Sequence, residues 1–116
     1  MNNLYFGTVQ KGKQRGRTMG FPTANIPSNV APSFGAYAGT VTLDSAVLPA
    51  AVYSDPDRKI LEAHILDFDE DIYGKEITIT LLTKVAERQP FVSKEAMMKT
   101  IGEAVQKVRD YFQPKP

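Results

Sequence analysis

A chain of 116 residues is long enough for one self-sufficient hydrophobic core and short for two ordinary domains. It has no cysteine, which excludes disulfides, thiolate zinc sites and a cysteine nucleophile. Its net charge of +1 supplies no global field for nucleic acid or membrane, and no apolar run approaches a membrane span.

Leu4 to Val9 alternates like a first strand. The run Gly7-Thr8-Val9-Gln10-Lys11-Gly12-Lys13 nearly spells a phosphate loop of the Walker type. However, Gln14 stands where a metal-binding hydroxyl is required, and Gly16, Gly20 and Pro22 forbid the helix that must come next. The segment after Val9 is instead a basic glycine loop. Gly12, Gly16 and Gly20 let the backbone lie close to a ligand, and Lys11, Lys13, Arg15 and Arg17 line the same path. Backbone N–H groups and cations together suit a polyphosphate. Pro22 then stiffens the chain. Thr23 and Asn25, two apart on an extended segment, point one hydroxyl and one amide oxygen to the same side. Both are hard donors of the kind Mg²⁺ accepts beside substrate phosphates. Taken alone, such a loop is ordinary solvated surface, and Thr-x-Asn is ordinary turn chemistry.

Pro22, Pro27 and Pro32 punctuate a loop region with at most one short extended piece. Tyr37 to Leu43 reads as a second strand and Val47 to Tyr53 as a β-compatible run, with a turn over Ser54-Asp55-Pro56-Asp57. Leu61 to Phe68 is a third long strand, with Leu61, Ala63 and Ile65 on one face and Glu62, His64 and Leu66 on the other. Ile77, Ile79 and Leu81 alternate in the next strand. The polar, glycine-bearing link between these two strands predicts a hairpin with the acidic residues 67–71 at its solvated tip. A calcium loop starting at Asp67 fails, because Ile72 and Thr78 occupy positions that need glycine and glutamate. From Ser93 the period changes to 3.6. Met97, Ile101, Ala104, Val105, Val108 and Phe112 fall on one helical face, Ser93 is the N-cap, and the helix should stop by Gln113. Antiparallel strands with one terminal helix predict a small closed or nearly closed barrel carrying the helix outside.

The series Gly7-x-Val9-x-x-Gly12, then Arg15-Gly16-Arg17-x-Met19-Gly20-Phe21-Pro22-Thr23-Ala24-Asn25, resembles the riboflavin kinase family. So do Leu61-Glu62-Ala63-His64-Ile65-Leu66-Asp67-Phe68, Asp71-Ile72-Tyr73-Gly74-Lys75 and Phe91-x-Ser93-x-Glu95. The resemblance spans nearly the whole chain, in order. It implies a six-stranded Greek-key barrel with the C-terminal helix packed outside, and phosphoryl transfer from ATP to the 5′-hydroxyl of riboflavin. It further implies Mg²⁺ on Thr23 and Asn25, Glu62 as catalytic base, and nucleotide contacts from Gly12, Lys13, Arg15, Gly16, Arg17, Gly20, Pro22 and Thr23. On the flavin side it points to Arg88 and Phe91. His64, on the face of Glu62, is a supporting hydrogen-bond partner or a plain surface residue.

Residues 1–116 are expected to form a single kinase domain without a nucleotidyltransferase module, so the product is FMN and not FAD. The expected partners are riboflavin or FMN and ATP or ADP, with no nucleic acid and no membrane. A monomer in the cytoplasm is expected. Two departures from the family stand out. The segment Pro49–Arg58 is short, lacks the family's glycines and has Tyr53 near the family's Asn. Ala86 stands where the family often has Arg, with Arg88 two residues on. They motivate an alternative, a non-catalytic flavin- or nucleotide-binding barrel of the same descent.

Overall fold

The structure is a computed structural model that describes residues 3–10, 23–28 and 30–113. Among these residues six strands occur in chain order: β1 (Leu4–Thr8), β2 (Ala24–Pro27), β3 (Gly35–Leu43), β4 (Ala46–Asp55), β5 (Ile60–Ile65) and β6 (Glu76–Ala86). Among the described residues one helix, α1 (Lys94–Phe112), comes last. The sheet order is β1-β6-β3-β4-β5-β2, and every neighbouring pair is antiparallel. The two ends of this ribbon meet: the N–H of Gln10, just past β1, donates to the carbonyl of Asn25 on β2 at 2.8 Å. The sheet is thereby curled into a nearly closed barrel.

Alternation decides what fills it. Ile26, Val41, Val52, Leu61, Ala63, Ile65, Ile77 and Ile79 all point inward and are buried in one cluster. Burying a large aliphatic side chain is worth roughly 1.5–3 kcal/mol. Curvature comes from β3, whose register with β6 shifts at Ala36/Tyr37 and again at Ala38/Gly39, as bulges do to increase twist. The approach there is close enough to need glycine: a Cβ at Gly39 would lie 2.5 Å from the Thr80 carbonyl oxygen.

The outer wall carries a second apolar cluster in which Ala38, Ala51 and Leu66 meet Val105 and Val108 of α1. Two alanines on the strands let the helix settle close to the sheet. Ser93 caps α1 as expected, its Oγ accepting from the Ala96 N–H at 3.1 Å, and the helix ends before Gln113. Arg109 in the last turn donates to both oxygens of Asp67 at 2.9 and 3.1 Å, clasping the helix to the chain leaving β5.

Three expectations need correction. β5 and β6 do not form a hairpin: β5 pairs with β4 and β2, while β6 pairs with β1 and β3. Alternation marks a two-faced strand but carries no information about its partner. β5 also stops at Ile65 rather than Phe68, because the chain turns at Leu66-Asp67, where Asp67 has a left-handed φ of 55°. Residues 66–75 cross one end of the barrel, and Ile72 is buried there in the inner cluster. The acidic residues 67, 69, 70 and 71 are exposed as expected, but on a crossing segment. The turn after β4 lies at Pro56–Lys59, later than expected. Ser54 stays in the strand, its hydroxyl donating to the Pro32 carbonyl at 2.6 Å.

Candidate active site

Where inward residues are apolar, their outward neighbours can be polar. On β2, Ala24 and Ile26 face the core and Asn25 faces out; on β5, Leu61 and Ala63 face in and Glu62 faces out. The register then does the assembling. Asn25 is opposite Glu62, Glu62 is opposite Tyr53, Tyr53 is opposite Ala36, and Ala36 is opposite Ala86. This row crosses five strands and forms the floor of one cleft. The first half of α1, through Met97, Thr100 and Ile101, makes one wall. The 87–92 segment, Phe34, Asp55 and Arg58 make the others. The volume is about 490 Å³, the size of a site for a small molecule.

The cleft has two chemically different ends. At one end stand Thr23, Asn25 and Glu62. The Thr23 hydroxyl donates to Asn25 Oδ1 at 3.4 Å, so the two oxygens share one spot, as their i, i+2 spacing predicts. Asn25 is buried and Thr23 half-buried. Glu62 Oε1 lies 3.5 Å from Arg58 Nη1, and Arg58 also reaches Asp55 Oδ2 at 3.9 Å. At the other end, Ala36 and Ala86 leave room beneath Phe34 and the exposed Phe91. The Arg88 guanidinium sits 4.2 Å from the centre of the Phe34 ring, a cation–π contact. Between the ends, the Tyr53 hydroxyl is buried and has no hydrogen-bond partner among the described residues. Burial, and then the nearby charge of Glu62, push its pKa far above the usual phenol range, so it stays protonated.

The donor set fits a magnesium ion of the substrate-bridged kind. Among the described residues, no group of three or more His, Cys, Asp or Glu could cage a metal, and two hard oxygens beside a nucleotide need none.

Of the residues singled out from sequence, Thr23, Asn25, Glu62, Arg88 and Phe91 all line this cleft. Gly12, Lys13, Arg15, Gly16, Arg17, Gly20 and Pro22 lie outside the described residues. His64 is buried rather than a plain surface residue. Sequence reasoning missed Tyr53 as a floor residue, Arg58 as the neighbour of Glu62, and Phe34. It also put Met97 and Ile101 on one helical face with Val105 and Val108 without seeing that both border the cleft. For Tyr53 the alternation with Val52 and Ser54 was a usable signal; for Arg58 there was none, since its proximity to Glu62 depends on the turn between them.

The riboflavin kinase family model matches residues 3–112. This chain belongs to the riboflavin kinase family. Its curated relatives include the bifunctional riboflavin kinase/FMN adenylyltransferase of Escherichia coli K12, 36% identical over 115 residues, covering 91% of this chain and 37% of that one. An RNA-binding riboflavin kinase of Bacillus subtilis is 34% identical, covering 92% of this chain and 50% of its own. The chain thus spans half or less of the length of these two relatives. Among solved structures, the riboflavin kinase of Trypanosoma brucei superposes with a TM-score of 0.63 at 26% identity, covering 95% of this chain and 76% of that one. A Streptococcus pneumoniae structure described as a macrolide-efflux protein gives a TM-score of 0.79 at 26% identity, covering 91% and 38%. The antiparallel barrel with an external helix is therefore the riboflavin kinase architecture.

Proposed function

We propose that this domain transfers the γ-phosphoryl group of ATP to the 5′-hydroxyl of riboflavin, giving FMN and ADP. The observation that carries the reading is the two-ended cleft. Thr23, Asn25 and Glu62 share one end and aromatic groups with small floor residues the other, in a member of the riboflavin kinase family. A flavin has the matching polarity, with a flat ring at one end and a polyol at the other.

The division of labour is then direct. Phe34, Phe91 and Arg88 flank the ring. Glu62 accepts the proton of the terminal hydroxyl as the new oxygen–phosphorus bond forms. The bond to ADP breaks with its electron pair staying on ADP. In a loose transition state that proton moves late, so a carboxylate is a strong enough base. Thr23 and Asn25 would hold Mg²⁺, which supplies charge neutralisation on the β- and γ-phosphate oxygens. The basic segment 11–17 completes the nucleotide side in this reading. In this reading the domain acts as a cytoplasmic monomer and its product is FMN.

The test is magnesium-dependent conversion of riboflavin to FMN by ATP, followed by chromatography. Unchanged riboflavin, where a known kinase converts it, overturns the proposal. A second reading, a barrel that binds flavin without turnover, is favoured by the Arg58–Glu62 contact, which engages the proposed base. It predicts flavin fluorescence quenching with no product. The name of the Bacillus relative makes RNA a necessary control ligand. The near-neutral charge and the carboxylates of 67–71 argue against salt-sensitive RNA binding here.

A further inference from the structure

We infer that Arg58 is the cation that takes up the newly transferred phosphoryl group, leaving Glu62 to do so; this rests on the kinase reading above. Arg58 stands in the Pro56–Lys59 turn between β4 and β5, on the rim of the cleft beside Glu62. Its backbone N–H donates to Asp55 Oδ1 at 3.2 Å, which fixes the base of the side chain. Its head is held much more loosely. Only Nη1 makes contacts among the described residues, at 3.5 Å to Glu62 and 3.9 Å to Asp55. Charge-assisted bonds to carboxylates normally close to about 2.7–2.9 Å. The same molecule shows what a committed arginine does: Arg109 uses both fork nitrogens on Asp67 at 2.9 and 3.1 Å. Arg58 keeps Nε and Nη2 without a hydrogen bond among the described residues, and its side chain is 39% exposed.

Among the described residues, the other arginine on the cleft is Arg88, which lies on the Phe34 ring at the far end. Among the described residues, Arg58 is therefore the arginine beside Glu62. The chemistry couples the two events. When the hydroxyl proton passes to Glu62, that carboxylate becomes neutral and its hold on Arg58 ends. In the same step the oxygen that lost the proton gains a phosphoryl group, and ADP leaves with the electron pair of the broken bond. A phosphate monoester then lies beside a guanidinium whose planar fork fits it. Glu62 and Arg58 so form an exchange pair, and Arg58 favours the phosphorylated flavin over riboflavin.

The rival account makes Arg58 a latch for the β4–β5 turn. Fluorescence titrations of wild type, Arg58→Gln and Arg58→Lys with riboflavin and with FMN, each with ADP and Mg²⁺, separate the two. The expected result is a loss on the order of tenfold in FMN affinity for Arg58→Gln, as for a charged hydrogen bond. Riboflavin affinity should stay within about twofold, since no riboflavin atom uses that contact, and Arg58→Lys should recover part of the loss through its point charge. Equal weakening toward both flavins, or unchanged FMN binding, overturns the inference while leaving the kinase reading intact. A wild-type protein that binds neither flavin overturns the kinase reading itself. The Gln variant retains the backbone bond to Asp55, so folding is preserved and can be checked by its unfolding midpoint.

Discussion

Asn25 and Ile26 are consecutive on β2, and Leu61 and Glu62 are consecutive on β5, yet each pair divides between two environments. Ile26 and Leu61 are fully buried inside the barrel; Asn25 and Glu62 face the cleft outside it. The inner members have only to be apolar and to fill space. The outer members have to present particular atoms at particular places. In the proposed reading one strand pair supplies both the stability of the wall and the chemistry mounted on it, and a slip of one residue would exchange the two.

Substitutions on the two faces should fail differently. Glu62→Ala should lower the rate of FMN formation by about 10²–10⁴-fold, the usual worth of a general base, with little change in the urea midpoint. Wild-type turnover would remove Glu62 from its role. Ile26→Ala should do the reverse, costing about 2–5 kcal/mol in urea unfolding while kcat per folded molecule holds. If activity instead fell in proportion to stability at full folding, the two faces would not be independent.

Asp67 tests the clasp that keeps the helical wall in place. The hydrogen bond from Arg109, and secondly its charge, hold the Asp67 carboxyl below the usual range. A depressed carboxylate contributes stability above its unfolded pKa of about 3.9, and that contribution is lost as pH falls through the lower folded value. Acid unfolding of Asp67→Asn should therefore be flatter than wild type below about pH 4. Identical acid limbs would show that the clasp does not contribute. Tyr53→Phe should have the smallest effect at neutral pH. Its hydroxyl has no partner among the described residues, so Tm should hold or rise. Above about pH 10 the raised folded pKa costs the wild type stability that the Phe variant keeps. A clear drop in Tm on substitution would mean that the hydroxyl is satisfied after all.

The parts legible in the sequence were those set by local periodicity. Leu61, Ala63 and Ile65 announced an inward face, and the switch of period at Ser93 announced α1 with its cap. Thr23 and Asn25 could be paired because their relation is two residues long. Strand partnership could not be read: β5 and β6 look like a hairpin because both alternate and the link is polar, and only the closed sheet sends β6 between β1 and β3. The Asn25–Glu62–Tyr53–Ala36–Ala86 row was hidden for the same reason, since its members are brought together by register across five strands.

The helix is fastened unevenly. Val105 and Val108 are sunk into the outer wall and Arg109 is clasped to Asp67, while Met97 and Thr100 border the cleft. Replacements at Met97 and Thr100 can thus reshape what the protein admits with little effect on what keeps it folded. Such a division lets a lineage retune its ligand by small steps, because each trial change falls where the scaffold has least to lose.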